Sequence, residues 1–173
     1  MSVSESRLDS ASEVAPGPFV SPMSEHDLLE VVEIEQSSGL SRWGWNAYYA
    51  ELASENRHLM LVARLAGGIA EGNESISGYV VARLVAGELH INNLAVRQSH
   101  RQCGIGTALL TSVLAEAKSA EAFVAFLEVR AGNTVAQRFY EKVGFRVVGR
   151  RRNYYPEPRE DALIMSLEMG RKP

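Results

Sequence analysis

The chain has 173 residues, a length that suits one domain with its own hydrophobic core. Apolar residues make up 46% of the chain and charged residues 23%, which is ordinary for a soluble globular protein. The formal net charge of -3 argues against broad nucleic-acid binding, and the single cysteine excludes a disulfide framework.

No pattern in the sequence indicates a metal site or a membrane span. The lone cysteine cannot form a CxxC pair, and the four histidines lack the spacing of metal ligands (His26, His58, His90 and His100). No apolar run approaches the ~18 residues that cross a bilayer, and the N-terminus lacks a basic stretch followed by an apolar one. We therefore expect a cytoplasmic protein with no metal, membrane or nucleic acid among its partners, and we expect it to act as a monomer.

The first half of the chain predicts a tail followed by a mixture of helices and strands. Residues 1–17 are rich in Ser, Glu and Ala and lack apolar periodicity, so we expect a disordered tail before one domain at residues 18–170. Ser24, with Asp27 three residues later, is typical of a helix N-terminus. In chain order we expect a strand at 19–21, helices at 24–36 and 43–54, a strand at 58–65, a hairpin loop at 66–75, and strands at 76–85 and 89–96.

The second half predicts two helices on either side of a buried strand. Apolar residues four apart predict a helix at 104–118, and Gly144 suits the C-terminus of a helix at 134–143. The almost wholly apolar run at 123–128 suits a central strand that is covered on both faces. A closing hairpin is expected at 145–154 and 162–168. The predicted fold class is therefore α/β, with a mixed sheet of about seven strands and about four helices.

A basic, glycine-containing turn lies between the strand at 89–96 and the helix at 104–118. It reads Arg101-Gln102-Cys103-Gly104-Ile105-Gly106-Thr107-Ala108. Free N–H groups at a helix N-terminus and the helix dipole favour an anion, and the two glycines let the backbone approach it. Arg97 and Arg101 add positive charge beside the turn. The spacing fits neither a Walker loop nor the dinucleotide fingerprint, and Cys103 is interpreted as an incidental loop residue.

The turn matches Q/R-x-x-G-x-G/A, the pyrophosphate loop of acyl-coenzyme-A-dependent N-acetyltransferases, and later strings strengthen the match. They are Leu127-Glu128-Val129-Arg130-Ala131-Gly132-Asn133, then residues 138–145, Arg151-Arg152-Asn153-Tyr154-Tyr155-Pro156, and residues 159–165. Over about residues 89–169 the chain resembles the GNAT superfamily and, within it, the bacterial ribosomal-protein-alanine N-acetyltransferases. The resemblance implies a GNAT fold in which the strands at 89–96 and 123–128 splay apart at their C-terminal ends.

The same resemblance implies that acetyl-CoA binds in the gap between these strands. Its pantetheine amides would pair with the backbones of Leu94 and Val96, which flank Ala95, like an added strand. Asn133 is expected to contact the pantetheine or to orient its loop, a role compatible with capping the next helix. The turn residues expected to bind the pyrophosphate are Arg101, Gln102, Cys103, Gly104, Ile105, Gly106 and Thr107.

Two residues carry the chemistry that amide formation from a thioester requires. Glu128 can take the proton of the attacking amine, directly or through water, and Tyr140 can donate to the departing sulfur. The resemblance assigns the base and the acid of the family to these same residues, and Tyr140 also contacts the donor. Taken singly, Glu128 could instead pair with Arg130, and Tyr140 could be a core residue.

The acceptor is expected to be the N-terminus of a protein. The resemblance implies aromatic walls formed by Trp43 and Tyr48 and by Tyr154 and Tyr155, with Asn153 as a further contact. An α-amine with a pKa near ~7.7–8.0 is neutral more often than lysine, whose pKa is near ~10.4. We expect a small first residue, alanine first, on a ribosomal protein of the small subunit. The alternatives are a GNAT for lysine or a small-molecule amine, and a non-catalytic acyl-CoA-binding module.

Overall fold

The computed structural model describes residues 17–40, 42–54, 58–65 and 75–170. The strands are β1 (Phe19–Pro22), β2 (His58–Arg64), β3 (Ile76–Val85), β4 (Glu88–Val96), β5 (Val124–Arg130), β6 (Arg146–Pro156) and β7 (Arg159–Glu168). The helices are α1 (Leu28–Ser38), α2 (Gly44–Leu52), α3 (Ile105–Ser119) and α4 (Thr134–Val143), with 3-10 turns at Glu25–Asp27 and Gln98–His100. The predicted tail, apart from Gly17, and the hairpin loop, apart from Ser75, lie outside the described residues.

The seven strands form one sheet in the order β1-β2-β3-β4-β5-β7-β6. Neighbouring strands are antiparallel except for β4 and β5, which are parallel and are connected through α3. This mixed sheet confirms the predicted α/β class. Because β7 inserts between β5 and β6, the C-terminal hairpin joins the sheet through its second strand.

Alternation along the strands places one hydrophobic core on each face of the sheet. Leu127 of β5 packs with residues of α3 and α4 in the first core, and Val81 of β3 packs with residues of α1 in the second. The prediction that β5 is covered on both faces is wrong, because Phe126 is half-buried and Glu128 is exposed. The helices α1 and α2 lie over β2, β3 and β4 instead.

The parallel strands β4 and β5 separate partway along their length. Their paired residues run only from Glu88 opposite Val124 to Ile91 opposite Leu127. Beyond that last pair, β4 continues to Val96 and β5 to residue 130 without pairing to each other. The structure therefore confirms the predicted splay of the two central strands.

A bulge in β4 lies where the strands begin to separate. Val81 of β3 pairs with Asn93, whereas Ala82 pairs with Ile91, so that Asn92 has no opposite residue. A bulge bends its strand and increases the local twist. It therefore helps to turn the end of β4 away from β5.

Local capping signals predicted several boundaries. The bounds of β3 and α4 are as expected, and Gly144 ends α4 with a φ of 110°. Ser24 and Asp27 form the predicted capping box, in which the Ser24 N–H donates to Asp27 Oδ2 at 2.8 Å. β7 begins at Arg159, three residues earlier than expected, because polar residues there continue the ladder to β6.

None of the described helices is both long enough and apolar enough to cross a membrane. Within the same residues, no three His, Cys, Asp or Glu side chains come together as metal ligands would.

Candidate active site

A cleft of about 300 Å³ opens where β4 and β5 separate. Its walls come from the end of α1 and the loop after it, the two separating strands, α4 with its cap, and β6. The cleft brings together seven residues for which the sequence predicts a site role: Trp43, Leu94, Glu128, Asn133, Tyr140, Tyr154 and Tyr155.

Glu128 and Tyr140 reach this cleft from opposite faces of the sheet. Leu127 and Val129 point into the core beside α3 and α4, so Glu128 between them points to the other face. Tyr140 lies in that core, on α4. The two side chains share a cleft because the splayed strands leave a gap between them. A group in the gap is therefore accessible to a carboxylate from one face and to a phenol from the other.

The carboxylate of Glu128 has a partner from β6 for each of its oxygens. Nη2 of Arg151 lies 3.2 Å from Oε1, and the Tyr154 hydroxyl donates to Oε2 at 3.3 Å. Arg130, the structural partner considered from the sequence, instead forms an ion pair with Glu160. The Glu128 side chain is 33% exposed, so it is oriented by its neighbours yet open to the cleft.

The side chain of Tyr140 is 8% exposed and packs among aromatic rings. Its ring centroid lies 5.1 Å from that of Phe139 and 5.8 Å from that of Phe145. Among the described residues, its hydroxyl has no hydrogen-bond partner. Burial, with a further contribution from Tyr155, raises the pKa of Tyr140 above its usual range. The phenol therefore stays protonated and is available as a donor to the cleft.

An arginine–glutamate pair positions Tyr155 in the wall of the cleft. The guanidinium carbon of Arg130 lies 4.1 Å from the centroid of the Tyr155 ring. Arg130 also pairs with Glu160 at 3.2 Å, and Glu160 accepts the backbone N–H of Gly132. Burial raises the pKa of Tyr155 to about 12. The pair thus connects the β6–β7 turn to the loop that precedes α4.

Asn133 performs the capping role that its position suggested. Its Oδ1 accepts the N–H of Ala136 at 3.1 Å, and the residue also lines the cleft. The cap fixes the first turn of the helix that carries Tyr140.

An irregularity in β6 brings both tyrosines to the cleft. Arg151 pairs with Ala162 and Tyr155 with Glu160, so three residues of β6 stand opposite Asp161 alone. In a regular strand, successive side chains point to opposite faces of the sheet. The extra residues change this alternation and let Tyr154 and Tyr155 both line the cleft.

Asp161 stabilises this irregular segment. It accepts the backbone N–H of Asn153 at 2.8 Å and pairs with Arg150 at 2.6 Å, and these contacts hold the pKa of Asp161 below its usual range. Asn153 has a φ of 51°, and its side chain is not part of the cleft lining. Asn153 therefore lies outside the cleft lining, and its contact with the acceptor stays a prediction.

The edge of β4 that faces the gap has backbone groups free of β5. The N–H of Arg97 donates to a carbonyl of β3 at 2.8 Å, whereas the carbonyl of Val96 accepts from Arg101 Nε at 3.4 Å. Successive residues of a strand direct their backbone N–H and C=O groups to opposite edges. Those of Leu94 therefore point to the same edge as those of Val96, and those of Ala95 point towards β3. This arrangement suits hydrogen bonding between β4 and an extended ligand.

The turn before α3 has the backbone geometry of an anion site. Gly104 precedes the helix with a φ of 77°, and Gln102 has a φ of 63°. The N–H groups of Ile105, Gly106 and Thr107 open the helix and have no carbonyl four residues earlier in it. Free amides and the positive end of the helix dipole therefore meet at this turn.

Only one of the two arginines expected to add positive charge beside the turn is open to an anion. Arg97 donates to the Ile76 carbonyl at 3.1 Å and to Glu30 Oε2 at 2.9 Å, so its charge is largely compensated by α1. Arg101 is exposed, as is the free thiol Cys103. Of the two arginines considered, Arg101 is therefore the one open to an anion.

Trp43 and Tyr48 do not form one wall. Trp43 lines the cleft, whereas Tyr48 is fully buried behind it, with 5.5 Å between ring centroids. The acceptor contact predicted for Tyr48 is therefore not supported by its position. The aromatic pair was recognisable in the sequence, but the residue that faces inward was not.

A buried carboxylate that was not predicted from the sequence organises this region. Glu35 accepts the backbone N–H groups of Trp43 at 2.8 Å and of Gly44 at 3.1 Å, and the Tyr48 hydroxyl at 2.7 Å. It thereby fixes the start of α2. The only signal in the sequence is an acidic residue at helical spacing from the apolar Val31 on α1.

Comparisons with known proteins match most of the described chain. The sequence model of the Acetyltransferase (GNAT) family matches residues 28–145. The ribosomal protein bS18-alanine N-acetyltransferase of Haemophilus influenzae is 30% identical over 151 residues, which cover 86% of this chain and 97% of that protein.

Solved structures share the fold. The crystal structure of the ribosomal-protein-alanine N-acetyltransferase of Escherichia coli matches with a TM-score of 0.77 and 28% identity, covering 90% of this chain and 96% of that one. NAA60 of Arabidopsis thaliana in complex with acetyl-CoA has a TM-score of 0.79 at 19% identity, covering 87% of this chain and 98% of that one, which is a likeness of fold.

Proposed function

Because the chain belongs to the Acetyltransferase (GNAT) family, we propose that it transfers the acetyl group of acetyl-CoA to the α-amine at the N-terminus of a protein. The observation that carries this proposal is the meeting of Glu128 and Tyr140 in one cleft from opposite faces of the sheet. A carboxylate and a protonated phenol on two sides of a gap are the base and the acid that aminolysis of a thioester needs.

The residues that surround the gap fit acetyl-CoA as the donor. Leu94 and Val96 direct backbone groups that do not pair with β5 into the gap, where pantetheine amides need partners. The amides of Ile105, Gly106 and Thr107 are available to the pyrophosphate. Between these contacts, the thioester would lie in the gap within reach of Glu128 and Tyr140.

In the reaction, the neutral amine of the acceptor attacks the carbonyl carbon of the thioester, and a C–N bond forms as the C–S bond breaks. Glu128 takes a proton from the nitrogen, directly or through water. The Tyr140 hydroxyl donates to the sulfur as negative charge develops on it, since burial keeps the phenol protonated. The products are an N-acetylated chain end and free coenzyme A, formed by direct transfer in a ternary complex.

An α-amine suits this site better than lysine does. With a pKa near ~7.7–8.0, roughly a tenth or more of an α-amine is neutral at neutral pH, against well under a hundredth of a lysine near ~10.4. An α-amine therefore requires less proton removal by the base than a lysine does. Exposed Tyr154, with Tyr155 and Trp43 around the same cleft, supplies aromatic surface for an extended chain end.

The proposed acceptor is alanine, or another small first residue, of a ribosomal protein. The curated relative from Haemophilus influenzae, which this chain covers almost entirely, carries that specificity in its name. We place the reaction in the cytoplasm, where ribosomal proteins are made. A lysine or a small-molecule amine is the alternative acceptor, and a silent acyl-CoA-binding module is the alternative function.

A peptide panel tests the proposal. The purified protein and acetyl-CoA are incubated with peptides that begin Ala-Arg or Ser-Arg, with free or blocked N-termini, and the products are mapped by mass spectrometry. We expect one acetyl group on the α-amine of the free peptides and no reaction of the blocked ones. Acetyl groups on internal lysines of the blocked peptides would establish the lysine alternative, and binding of acetyl-CoA without transfer to any amine would establish the silent module.

A further inference from the structure

A buried hydrogen-bond network behind the cleft ends on a residue that the proposed mechanism leaves unused. Asn93 of β4 is 5% exposed and lines the cleft. Its Nδ2 donates to the Tyr48 hydroxyl oxygen at 2.8 Å. The same oxygen lies 2.9 Å from the Tyr79 hydroxyl and 2.7 Å from Glu35 Oε1.

Counting protons gives the direction of every bond in this network. Glu35 already accepts two backbone N–H groups, and as a carboxylate it has no proton to give. Tyr48 therefore gives its single proton to Glu35, and Tyr79 donates to Tyr48. Burial, with Tyr79 and Glu35 close by, raises the pKa of Tyr48, which keeps that proton in place. Asn93 can then approach the Tyr48 oxygen only with its NH2 group.

The carbonyl oxygen of Asn93 is consequently directed away from Tyr48. Among the described residues, this Oδ1 has no hydrogen-bond partner. The oxygen is not sealed in the protein interior, and an acceptor without a donor from the protein can take one from a ligand. Since Asn93 lines the cleft, the cleft is where a donor for its oxygen can come from.

Asn93 and Glu128 face the same side of the sheet across the gap. Asn93 pairs with Val81, whose side chain lies in the core beside α1. Glu128 points to that same face, because its neighbours Leu127 and Val129 point to the other. The gap is therefore flanked by two hydrogen-bond acceptors on the face from which the amine arrives.

A neutral primary amine has two N–H groups and one lone pair. We propose that Asn93 Oδ1 accepts one N–H of the acceptor α-amine while Glu128 accepts the other, so that the lone pair points at the thioester carbon. Asn93 is thus a residue that binds and orients the attacking group. This inference rests on the proposed function, and it adds a second contact for the amine and a preference for a primary amine over a secondary one.

Substrates with one or two N–H groups separate this role from a structural one. We would measure kcat/KM with a peptide that begins with alanine and with the same peptide beginning with N-methylalanine, in the wild type and in Asn93→Ala. We expect Asn93→Ala to lower kcat/KM for the alanine peptide about tenfold, the factor of roughly one hydrogen bond. The preference for alanine over N-methylalanine should fall as well, with acetyl-CoA affinity unchanged.

The network supplies matched controls. Tyr79→Phe removes a bond to Tyr48 without touching Asn93, so it should keep both the rate and the preference. Tyr48→Phe frees the Asn93 amide to rotate and should reproduce part of the loss. In the double variant with Asn93→Ala, the Tyr48 change should add nothing to the loss in preference.

Three results would overturn the inference. They are an equal loss for both peptides, an equal loss in Asn93→Ala and Tyr79→Phe, and weaker acetyl-CoA binding by Asn93→Ala, which would assign the oxygen to a pantetheine amide. A wild type that acetylates only lysine refutes the proposed function instead. The comparison of lysine with N-methyllysine would then decide the role of Asn93 at that amine.

Discussion

Arg151 lies 3.2 Å from one oxygen of Glu128, so a cation is already paired with the carboxylate that we propose as the base. Tyr154 occupies the other oxygen, and both partners come from the irregular part of β6. The carboxylate is therefore oriented before an acceptor arrives. An incoming amine must approach Glu128 beside Arg151 and Tyr154. The segment of β6 that is proposed to contact the acceptor therefore also orients the base.

Glu128→Gln should preserve the fold and acetyl-CoA binding but lower kcat roughly 10²–10⁴-fold, the usual contribution of a general base. The loss should shrink at high pH, where the amine deprotonates unaided. Steady-state kinetics over a range of pH measures this, with Glu168→Gln, at the end of β7 away from the cleft, as the control. A defect that is independent of pH would indicate a structural role.

Tyr140→Phe should slow transfer by roughly 10²-fold without weakening acetyl-CoA binding. The ring stays in its aromatic cluster, and the lost hydroxyl has no hydrogen bond to the described residues, so Tm should hardly change. Tyr49→Phe, on an exposed part of α2, is the matched control. A variant that melts early yet turns over normally when folded would identify Tyr140 as a core residue only.

Gly106→Asp should raise the KM for acetyl-CoA steeply while the protein remains folded. A Cβ at Gly106 meets no atom closer than 3.4 Å, whereas Gly104 has a φ of 77° that strains any other residue. Gly106 is therefore the cleaner place for a negative charge near the pyrophosphate. Calorimetry measures the affinity, with Gly106→Ala as the steric control, and unchanged binding of acetyl-CoA by the aspartate variant would refute the loop assignment.

Tyr154→Ala should raise the KM for the peptide and leave that for acetyl-CoA unchanged. Its ring is 43% exposed at the mouth of the cleft, on the face to which Glu128 points. Tyr154→Phe keeps the ring and removes only the hydrogen bond to Glu128, so it separates packing from orientation of the base. Equal changes in both Michaelis constants would show that Tyr154 is not specific to the acceptor.

Stability should fall in alkali. Burial raises the pKa of Tyr155 to about 12 and those of Tyr48, Tyr79 and Tyr140 further, above the ordinary value of 10.0. These phenols ionise more readily in the unfolded chain, so the stability they contribute is complete below pH ~10 and is lost as pH rises through about 12. Urea unfolding across this range measures the decline, and Tyr48→Phe should make it shallower. An unchanged midpoint would show that the phenols ionise without unfolding.

Local chemistry made much of the fold predictable. The cap formed by Asn133 and the glycine at position 144 fix α4, and the alternation of β5 places Glu128 opposite its apolar neighbours. These features depend on residues close together in the chain. The candidate base and acid were predicted from short strings that resemble the GNAT family, since each residue taken singly also allowed a structural role.

Long-range pairing was not predictable in the same way. Nothing in the sequence shows that Arg130 pairs with Glu160 rather than Glu128. Nor does it show that Arg97, after β4, pairs with Glu30 of α1. Likewise, an aromatic at position 48 can face either a groove or a core. The network around Glu35 decides which, and its members are scattered over four elements.

The short paired region of β4 and β5 affects how the protein is expected to open. Among the described residues, only four residue pairs join β1–β4 to β5–β7 within the sheet, and beyond Ile91 the edge of β4 that faces the gap has no pairing with β5. An extended acetyl-CoA molecule in the gap would contact both β1–β4 and β5–β7 and hold these two parts of the sheet together. Its binding should slow hydrogen exchange at Leu94 and Val96 and stabilise the protein as donor concentration rises. The enzyme loaded with donor should therefore open as one cooperative unit, and the free enzyme as two.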